Sequence, residues 1–280
     1  MITTKPLVSV LMTAYNREQY IGEAIESVLA STYENFELII VDDHSADNTV
    51  SVAKKYAAAN PKVKVYVNET NLGDYQNRNK AAAYANGKYL KYWDSDDVLY
   101  PHALSVMIDC MEKFPDAGFG LVKAHMPLFD QPYPLQLDHP FKVFCTERSL
   151  LSNSPGSAII KKELFDKVNG FSGKRYIGDN ELWINCSFYS PLVIIPGFLG
   201  WDRTHAVQER NFDPVKYEEL RQGLFFAALE NPLNQLTETE KKSIRKKAKS
   251  SIIKNALNDF LKLRWAFFLK KHILIKYLFK

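Results

Sequence analysis

The sequence predicts an α/β protein: a Rossmann-like, mostly parallel central sheet flanked by helices, followed by a helical C-terminal extension. Three observations carry this. Short β-rich apolar runs alternate with helical periodicity over the first hundred residues. Polar clusters follow three of those runs directly, where open α/β sheets bind ligands. Beyond Pro214 the strand signals stop and the spacing reads as helix to the end.

In order, Leu7–Met12 is the first apolar strand run, followed by the polar Thr13-Ala-Tyr-Asn-Arg17. Ile21, Ala24, Ile25, Val28 and Leu29 then recur at helical spacing. Phe36–Val41 is the second strand, closed by Asp42-Asp-His-Ser45, and Asp47 or Asn48 can cap the helix through Ala53, Tyr56 and Ala57. Val63–Val67 is the third strand and Gln76–Ala85 a helix. Lys88–Trp93 is the fourth strand, ending in Asp94-Ser-Asp-Asp97. A helix carries Leu104, Met107, Ile108 and Met111. The proline-rich stretch from Met126 to Pro140 reads as an irregular loop. Ser157–Ile160 and Leu192–Ile195 read as strands, and Asp179–Phe188 as a helix. Soft boundaries near 112 and 213 give three segments: 1–112, 113–213 and 214–280.

Composition excludes several classes. Cys110, Cys145 and Cys186 are dispersed without a C-x-x-C pair, which argues against a disulfide framework or a zinc site and fits a reducing compartment. The apolar stretch near the N-terminus is too short for a signal peptide, and eighteen uninterrupted apolar residues occur nowhere, so a cytoplasmic protein without a spanning helix is expected. Charge is uneven. Residues 241–280 hold 13 Lys/Arg and one acid, leaving 23 against 31 for the rest. A basic tail on an acidic body points to an anionic partner.

Asp94, Asp96 and Asp97 put three carboxylates within four residues at a strand end, and their mutual repulsion calls for a cation. Hard oxygen ligands suit Mg²⁺ or Mn²⁺, which also take substrate phosphates. The alternative is an acidic loop capping the helix that starts at Pro101. Tyr15, Asp43 and Arg78 are each, singly, compatible with a surface role; their shared placement at one sheet edge is what points to a site.

These residues resemble family 2 glycosyltransferases with the GT-A fold. The resemblance rests on Val8-Ser-Val-Leu-Met-Thr-Ala-Tyr-Asn16, Phe36-Glu-Leu-Ile-Ile-Val-Asp-Asp-His-Ser45, Asn71-Leu-Gly73, Arg78-Asn79 and Gly87-Lys-Tyr-Leu through Asp97, in order. It is tight over residues 7–104, looser to about 205 and absent beyond. It implies a metal-dependent, inverting transfer of sugar from a nucleotide diphosphate donor, UDP in the first instance, to an acceptor hydroxyl, in polysaccharide or glycolipid synthesis. The implied donor-binding set is Thr13, Ala14, Tyr15, Asp43, Arg78, Asp94 and Ser95. Within it Tyr15 stacks on uracil, Asp43 (or its neighbour Asp42) accepts from the base, Arg78 approaches the pyrophosphate and Asp94 the ribose. Asp96 takes the metal, with Asp97 its rival.

Gly178-Asp-Asn-Glu-Leu-Trp183 resembles the family's catalytic stretch, which makes Asp179 the general base and Glu181 the fallback; Gly178 stands where the family carries Glu. The other reading of Asp179 is a helix cap. His205 is a candidate for the diphosphate or metal. Gln208-Glu-Arg-Asn211 departs from the Q-x-x-R-W of processive members, which implies single addition. A catalytically idle nucleotide-binding or regulatory protein on the same fold is the alternative function. A nucleotidyltransferase would need a Gly-rich basic loop that Thr13–Arg17 is not.

In the tail, Ile244, Ala248, Ile252, Ile253, Ala256, Leu257, Phe260 and Leu261 make one apolar face at helical spacing, and the final stretch mixes Trp265, Phe267 and Phe268 with lysines. That pattern describes an interfacial helix on an anionic membrane surface, at the inner face of the cytoplasmic membrane, with a saccharide or lipid-linked acceptor. Packing on the catalytic domain or in a homo-oligomer is the alternative. Nucleic acid is not expected, because the tail is too apolar for a phosphate-binding arm.

Overall fold

The computed structural model describes residues 5–123, 134–204 and 213–261, with side chains as far as Lys254. In chain order the elements are β1 (Val8–Ala14), α1 (Ile21–Leu29), β2 (Phe36–Asp42), α2 (Thr49–Ala59), β3 (Val63–Val67), α3 (Asp74–Ala83), β4 (Tyr89–Tyr92), β5 (Val98–Leu99) and α4 (Ala103–Lys113). There follow β6 (Phe119–Lys123), β7 (Leu135–Leu137), α5 (Pro140–Phe144), β8 (Ala158–Lys161), α6 (Lys162–Lys167), α7 (Gly178–Ser187), β9 (Leu192–Pro196), β10 (Gly200–Trp201), α8 (Pro214–Glu230) and α9 (Glu238–Leu261).

Cα packing divides the chain into two units, residues 1–140 with 151–205, and residues 141–150 with 206–280. Position 112 falls inside the first unit, because β6, just after it, joins the same sheet as β1 and β4. That sheet has eight strands in the order β3-β2-β1-β4-β8-β6-β9-β7. β1, β2, β3 and β4 are mutually parallel, as are β6 and β9, while β8 and β7 run antiparallel to their neighbours. The strands are apolar on both faces because both are covered. Val8, Val10 and Met12 share a buried cluster with Ile21, Ala24, Ile25 and Val28 of α1 and Leu104, Met107 and Met111 of α4. Leu11, Ile39 and Val41 point to the other face and are equally buried, with α3 packed on β1 and β2.

Two local expectations are corrected. The described part of the proline-rich stretch contains β7, which forms an antiparallel edge on β9 immediately after Pro134, and an edge is where a strand tolerates proline. The helix after the acidic cluster begins at Ala103 with His102 as an uncapped N-cap, so that cluster does not cap it. Of the two cap candidates for α2, Asp47 takes the role, accepting from the backbone N–H and hydroxyl of Thr49 at 3.0 and 2.5 Å, while the Asn48 side chain makes no cap bond.

Before β4, Gly87 lies against the bottom of β1. A Cβ there would come within 2.6 Å of the Ser9 backbone nitrogen and 2.8 Å of the Leu7 oxygen, and backbone cannot yield as a side chain does. Gly87→Ala is therefore expected to destabilise the protein by about 1–3 kcal/mol. A thermal melt followed by circular dichroism should show a drop of several degrees, roughly 2–4 °C per kcal/mol.

In the second unit, Phe144 and Phe225 meet edge to face with centroids 6.1 Å apart, and the Arg148 guanidinium lies over the Phe225 ring. Lys142 pairs with Glu240, and Arg245 pairs with Glu230. Along α9, Ile244 and Ala248 are half-buried and Ile252 is buried, whereas Ile253, Lys242, Lys246, Lys247 and Lys254 are exposed. Residues 262–280, including Trp265, Phe267 and Phe268, lie outside the described residues, as do the side chains of Ala256, Leu257, Phe260 and Leu261.

Candidate active site

Parallel register alone brings the predicted residues to one edge. Ala14 pairs with Asp42, and Leu11 with Tyr92, so Tyr15, Asp43 and Asp94 emerge at the carboxyl ends of three adjacent strands. Chain order reverses here. β2 and β3 lie to one side of β1 and β4 to the other, which opens the crevice where such sheets bind ligands.

The loops after β1 and β2 are fastened together. The Asn16 backbone N–H donates to the Ser45 hydroxyl oxygen at 2.8 Å, and the Asn16 Oδ1 accepts from the Ala46 N–H at 2.9 Å. Both Asn16 (φ 52°) and His44 (φ 67°) hold left-handed backbone, the kind of local strain that clusters at binding sites. Tyr15 is left 47% exposed, its ring available for stacking. Asp42 is spent on Ser45, accepting from its backbone N–H and its hydroxyl. Asp43 is buried and accepts three bonds, from Asn68 Nδ2, the Leu72 N–H and the Gly73 N–H, each at 2.8 Å. It therefore builds the Asn71–Gly73 turn, and a carboxylate has room for about one further donor.

The acidic cluster is framed by arginines. Arg78, on α3 and only 7% exposed, donates from Nε to Asp74 at 2.8 Å and from Nη2 to Asp94 at 2.7 Å. Among the described residues its Nη1 is buried without a partner. Burial pushes the Asp94 carboxyl up, but Arg78 outweighs this and holds it below the usual range. Arg17 bonds Asp96 Oδ2 from Nε at 3.0 Å and crosses the crevice to do so. Arg203 donates from Nε to the Asp96 carbonyl and from its backbone N–H to Asp97 Oδ1, both at 2.9 Å. Asp97 is pushed up to about 7, first by burial and then by the charges of Asp94, Asp96 and Asp202 against the Arg203 bond. Beneath them Lys91 is fully buried on β4; desolvation lowers it to about 7, and its Nζ bonds the Gly156 carbonyl. Thr13 is half-buried, and Ala14 and Ser95 are buried at the strand ends.

Among the described residues no three acidic, His or Cys side chains gather into a complete metal cage. A divalent cation here would draw on one or two carboxylates and take its remaining oxygens from a diphosphate and water, the usual habit of Mg²⁺. All-oxygen donors, crowded enough to raise Asp97, suit that chemistry. The residues present fit the ion.

Asp179 is the second residue of α7. The N-cap is Ile177, without a side-chain cap bond, so Asp179 is not the cap. Its Oδ1 accepts from the Asn180 N–H at 2.8 Å, and burial raises the carboxyl to about 6 despite the pull of Arg78. Glu181 is occupied differently. Its two oxygens accept from Lys174 Nζ, at 2.5 Å, and from the Ser172 hydroxyl. A half-buried carboxyl with a raised pKa is better placed to act as a base near neutral pH than one held by a lysine. His205 and Gln208–Asn211 lie outside the described residues.

The chain matches the family described as "Glycosyl transferase family 2" over residues 9–172. The chain belongs to that family. It is 30% identical over 284 residues to the uncharacterized glycosyltransferase RP339 of Rickettsia prowazekii (strain Madrid E), covering 97% of this chain and 82% of that protein. It is 38% identical over 107 residues to the UDP-Glc:alpha-D-GlcNAc-diphosphoundecaprenol beta-1,3-glucosyltransferase WfgD of Escherichia coli, covering 38% of this chain and 42% of that one. The chain spans 45% and 33% of the length of the first two curated relatives it matches. Among solved structures, S. aureus TarS 1-349 in complex with UDP-GlcNAc superposes with a TM-score of 0.66 at 22% identity, over 85% of this chain and 70% of that one. That likeness confirms the predicted GT-A fold.

Sequence reasoning assigned no role to Arg17, Arg203, Lys91 or Tyr75, each of which touches the site. Arg17 carried a signal, being two residues beyond Tyr15 on the same loop. Arg203 is brought in by the pairing of β10 with β5, a long-range contact that no local pattern announces.

Proposed function

We propose that this chain is an inverting, metal-dependent glycosyltransferase that moves a sugar from a UDP-sugar to a hydroxyl of a saccharide or lipid-linked acceptor. The observation that carries the reading is the convergence, at one sheet edge, of an open aromatic face, an arginine-framed acidic cluster and, on the same unit, a base candidate of raised pKa. Tyr15 stacks on the base; Asp43 holds the turn against it and offers its remaining acceptor capacity. Arg78 and Asp94 fix each other toward the ribose and pyrophosphate, and Thr13, Ala14 and Ser95 line the strand ends. Asp96, with Asp97 beside it, holds Mg²⁺ or Mn²⁺, which when bound supplies positive charge to the departing diphosphate. Asp179 removes the proton from the acceptor hydroxyl as that oxygen attacks the anomeric carbon, and the bond from that carbon to the diphosphate oxygen breaks. One displacement inverts the configuration, and no enzyme nucleophile is needed.

The test is release of UDP from UDP-glucose and UDP-N-acetylglucosamine, with Mn²⁺ or EDTA, and with and without candidate acceptors. Metal-dependent release that rises with an acceptor supports transfer. Binding of UDP without release under every condition would leave a catalytically idle nucleotide-binding protein.

The acceptor side extends the proposal to residues 241–280. No described helix is long and apolar enough to cross a membrane. As far as Ile252 the apolar stripe of α9 turns largely away from water, while Lys242, Lys246 and Lys247 stay exposed, which leaves a basic face for anionic lipid at the inner face of the cytoplasmic membrane. Each Lys or Arg near such a surface contributes about 1 kcal/mol. The full chain is expected to cosediment with liposomes in proportion to anionic lipid, and Lys242, Lys246 and Lys247→Gln, or truncation near Leu236, to weaken this. Equal binding by all of them would remove the membrane role.

A further inference from the structure

We propose that Tyr75 is a positioning residue for Asp179: its ring fills the slot that a side chain at position 178 would occupy and fixes the base against α3. The proposal rests on the reading of Asp179 as the base.

A Cβ on Gly178 would lie 2.7 Å from Tyr75 Cε2 and 2.8 Å from Cζ, so the ring occupies that volume in direct contact with the backbone beside Asp179. The ring is itself held, stacked on Phe171 with centroids 5.2 Å apart. Phe171 is in turn clamped by Asn79, whose Oδ1 accepts from the Phe171 N–H at 2.9 Å and whose Nδ2 donates to its carbonyl at 2.8 Å. The preceding Gly170 (φ +59°) admits this clamp, since a Cβ there would meet Asn79 Oδ1 at 2.5 Å. Tyr75 and Asn79 are four apart on α3 and so share a face. Asp74 and Arg78, also four apart, form the adjoining pair that reaches Asp94. One helix thus secures the acidic cluster on one side and the base on the other.

Chemistry agrees with the geometry. Burial, with the charges of Asp179 and Asp74 adding, lifts the Tyr75 phenol well above its ordinary range, so it stays neutral beside the base. The charged groups facing Asp179 from α3 are Arg78 and Asp74; on its own helix Glu181 is held by Lys174. The ring keeps water from Asp179 on this side and adds no charge. At position 178 this chain has glycine, and the Tyr75 ring from α3 occupies the space a side chain there would take.

The experiment is a ¹³C NMR titration of the Asp179 carboxyl in the full chain, assigned by its loss in Asp179→Asn, with UDP affinity in Mn²⁺ measured in parallel by calorimetry. The wild-type midpoint is expected near 6. Tyr75→Phe should keep it, whereas Tyr75→Ala should move it toward ~3.9, the ordinary aspartate value, with UDP affinity unchanged. Gly178→Ala, which displaces the ring without deleting it, should shift it in the same direction. Because the two changes open one slot, the double variant should show far less than the sum of their shifts. An unmoved midpoint in Tyr75→Ala, or independent additive shifts, overturns the proposal. If Tyr75→Ala does not fold, Gly178→Ala alone decides it. Normal transfer by Asp179→Asn would sink the base reading instead and leave the titration result standing.

Discussion

Replacing Asp179 with Asn is expected to slow transfer by about 10²–10⁴-fold, the usual loss for a positioned general base, with UDP affinity nearly unchanged. Asn preserves the volume and the bond from the Asn180 N–H. What it lacks is the basic carboxylate that the proposed role requires. The pH profile adds a second check. A carboxyl raised to about 6 is protonated and inactive below that pH, so kcat should climb through about 6 and level off above. That limb should vanish in the variant. Stability should move the other way. The folded pKa lies above the ordinary value of 3.8, so the stabilising contribution is complete below about 3.8 and lost as pH rises through about 6. Asp179→Asn should therefore melt higher than wild type at pH 8 and gain little at pH 4. Glu181→Gln is the control. With its carboxylate already engaged by Lys174 and Ser172, it should disturb the start of α7 more than the chemistry. Near-normal turnover in Asp179→Asn would pass the base role to Glu181 or another residue.

The donor half of the fold was legible because its signals are local. β3 matches its expected bounds, and β1, β2 and β4 agree within about two residues, since each is a short apolar run bounded by polar turns. Once four such strands are parallel, their carboxyl ends must share an edge, so Tyr15, Asp43 and Asp94 could be gathered before any coordinate was known. The middle of the chain was less legible. β7 is a three-residue edge strand hidden behind Pro134, and β5 with β10 is a two-residue ribbon; both are too short to carry periodicity.

Within the site, residue type was easier to read than residue duty. Asp43 looked like a free acceptor, yet three backbone and side-chain donors converge on it, because the Asn71–Gly73 turn folds back over the end of β2. Arg78 looked like a phosphate ligand and proves first to be a strut between Asp74 and Asp94. Gly178 looked like a missing glutamate. Only the three-dimensional approach of Tyr75, over a hundred residues earlier in the chain, explains why a side chain is absent there.

Asp96→Ala is expected to abolish detectable transfer, a loss of at least about 10³-fold if metal stabilisation of the departing diphosphate amounts to ~4 kcal/mol. The carboxylate stands at the reversal point of the sheet, on the loop after β4, bonded across the crevice to Arg17 from the loop after β1. Removing it does two things. It deletes the hard oxygen donor best placed to reach a ligand lying between those loops, and it leaves the Arg17 Nε without that acceptor. Calorimetry should then show UDP binding that no longer responds to Mn²⁺, with a weaker, metal-independent component retained through Tyr15. Asp97→Ala separates the two candidate ligands. Asp97 is already engaged by the Arg203 backbone N–H, so its loss should loosen β10 and reduce activity while Mn²⁺ still tightens UDP. Loss of the Mn²⁺ response in Asp97→Ala but not in Asp96→Ala would exchange their roles. Full turnover by the wild type in excess EDTA would remove the metal from the reaction altogether.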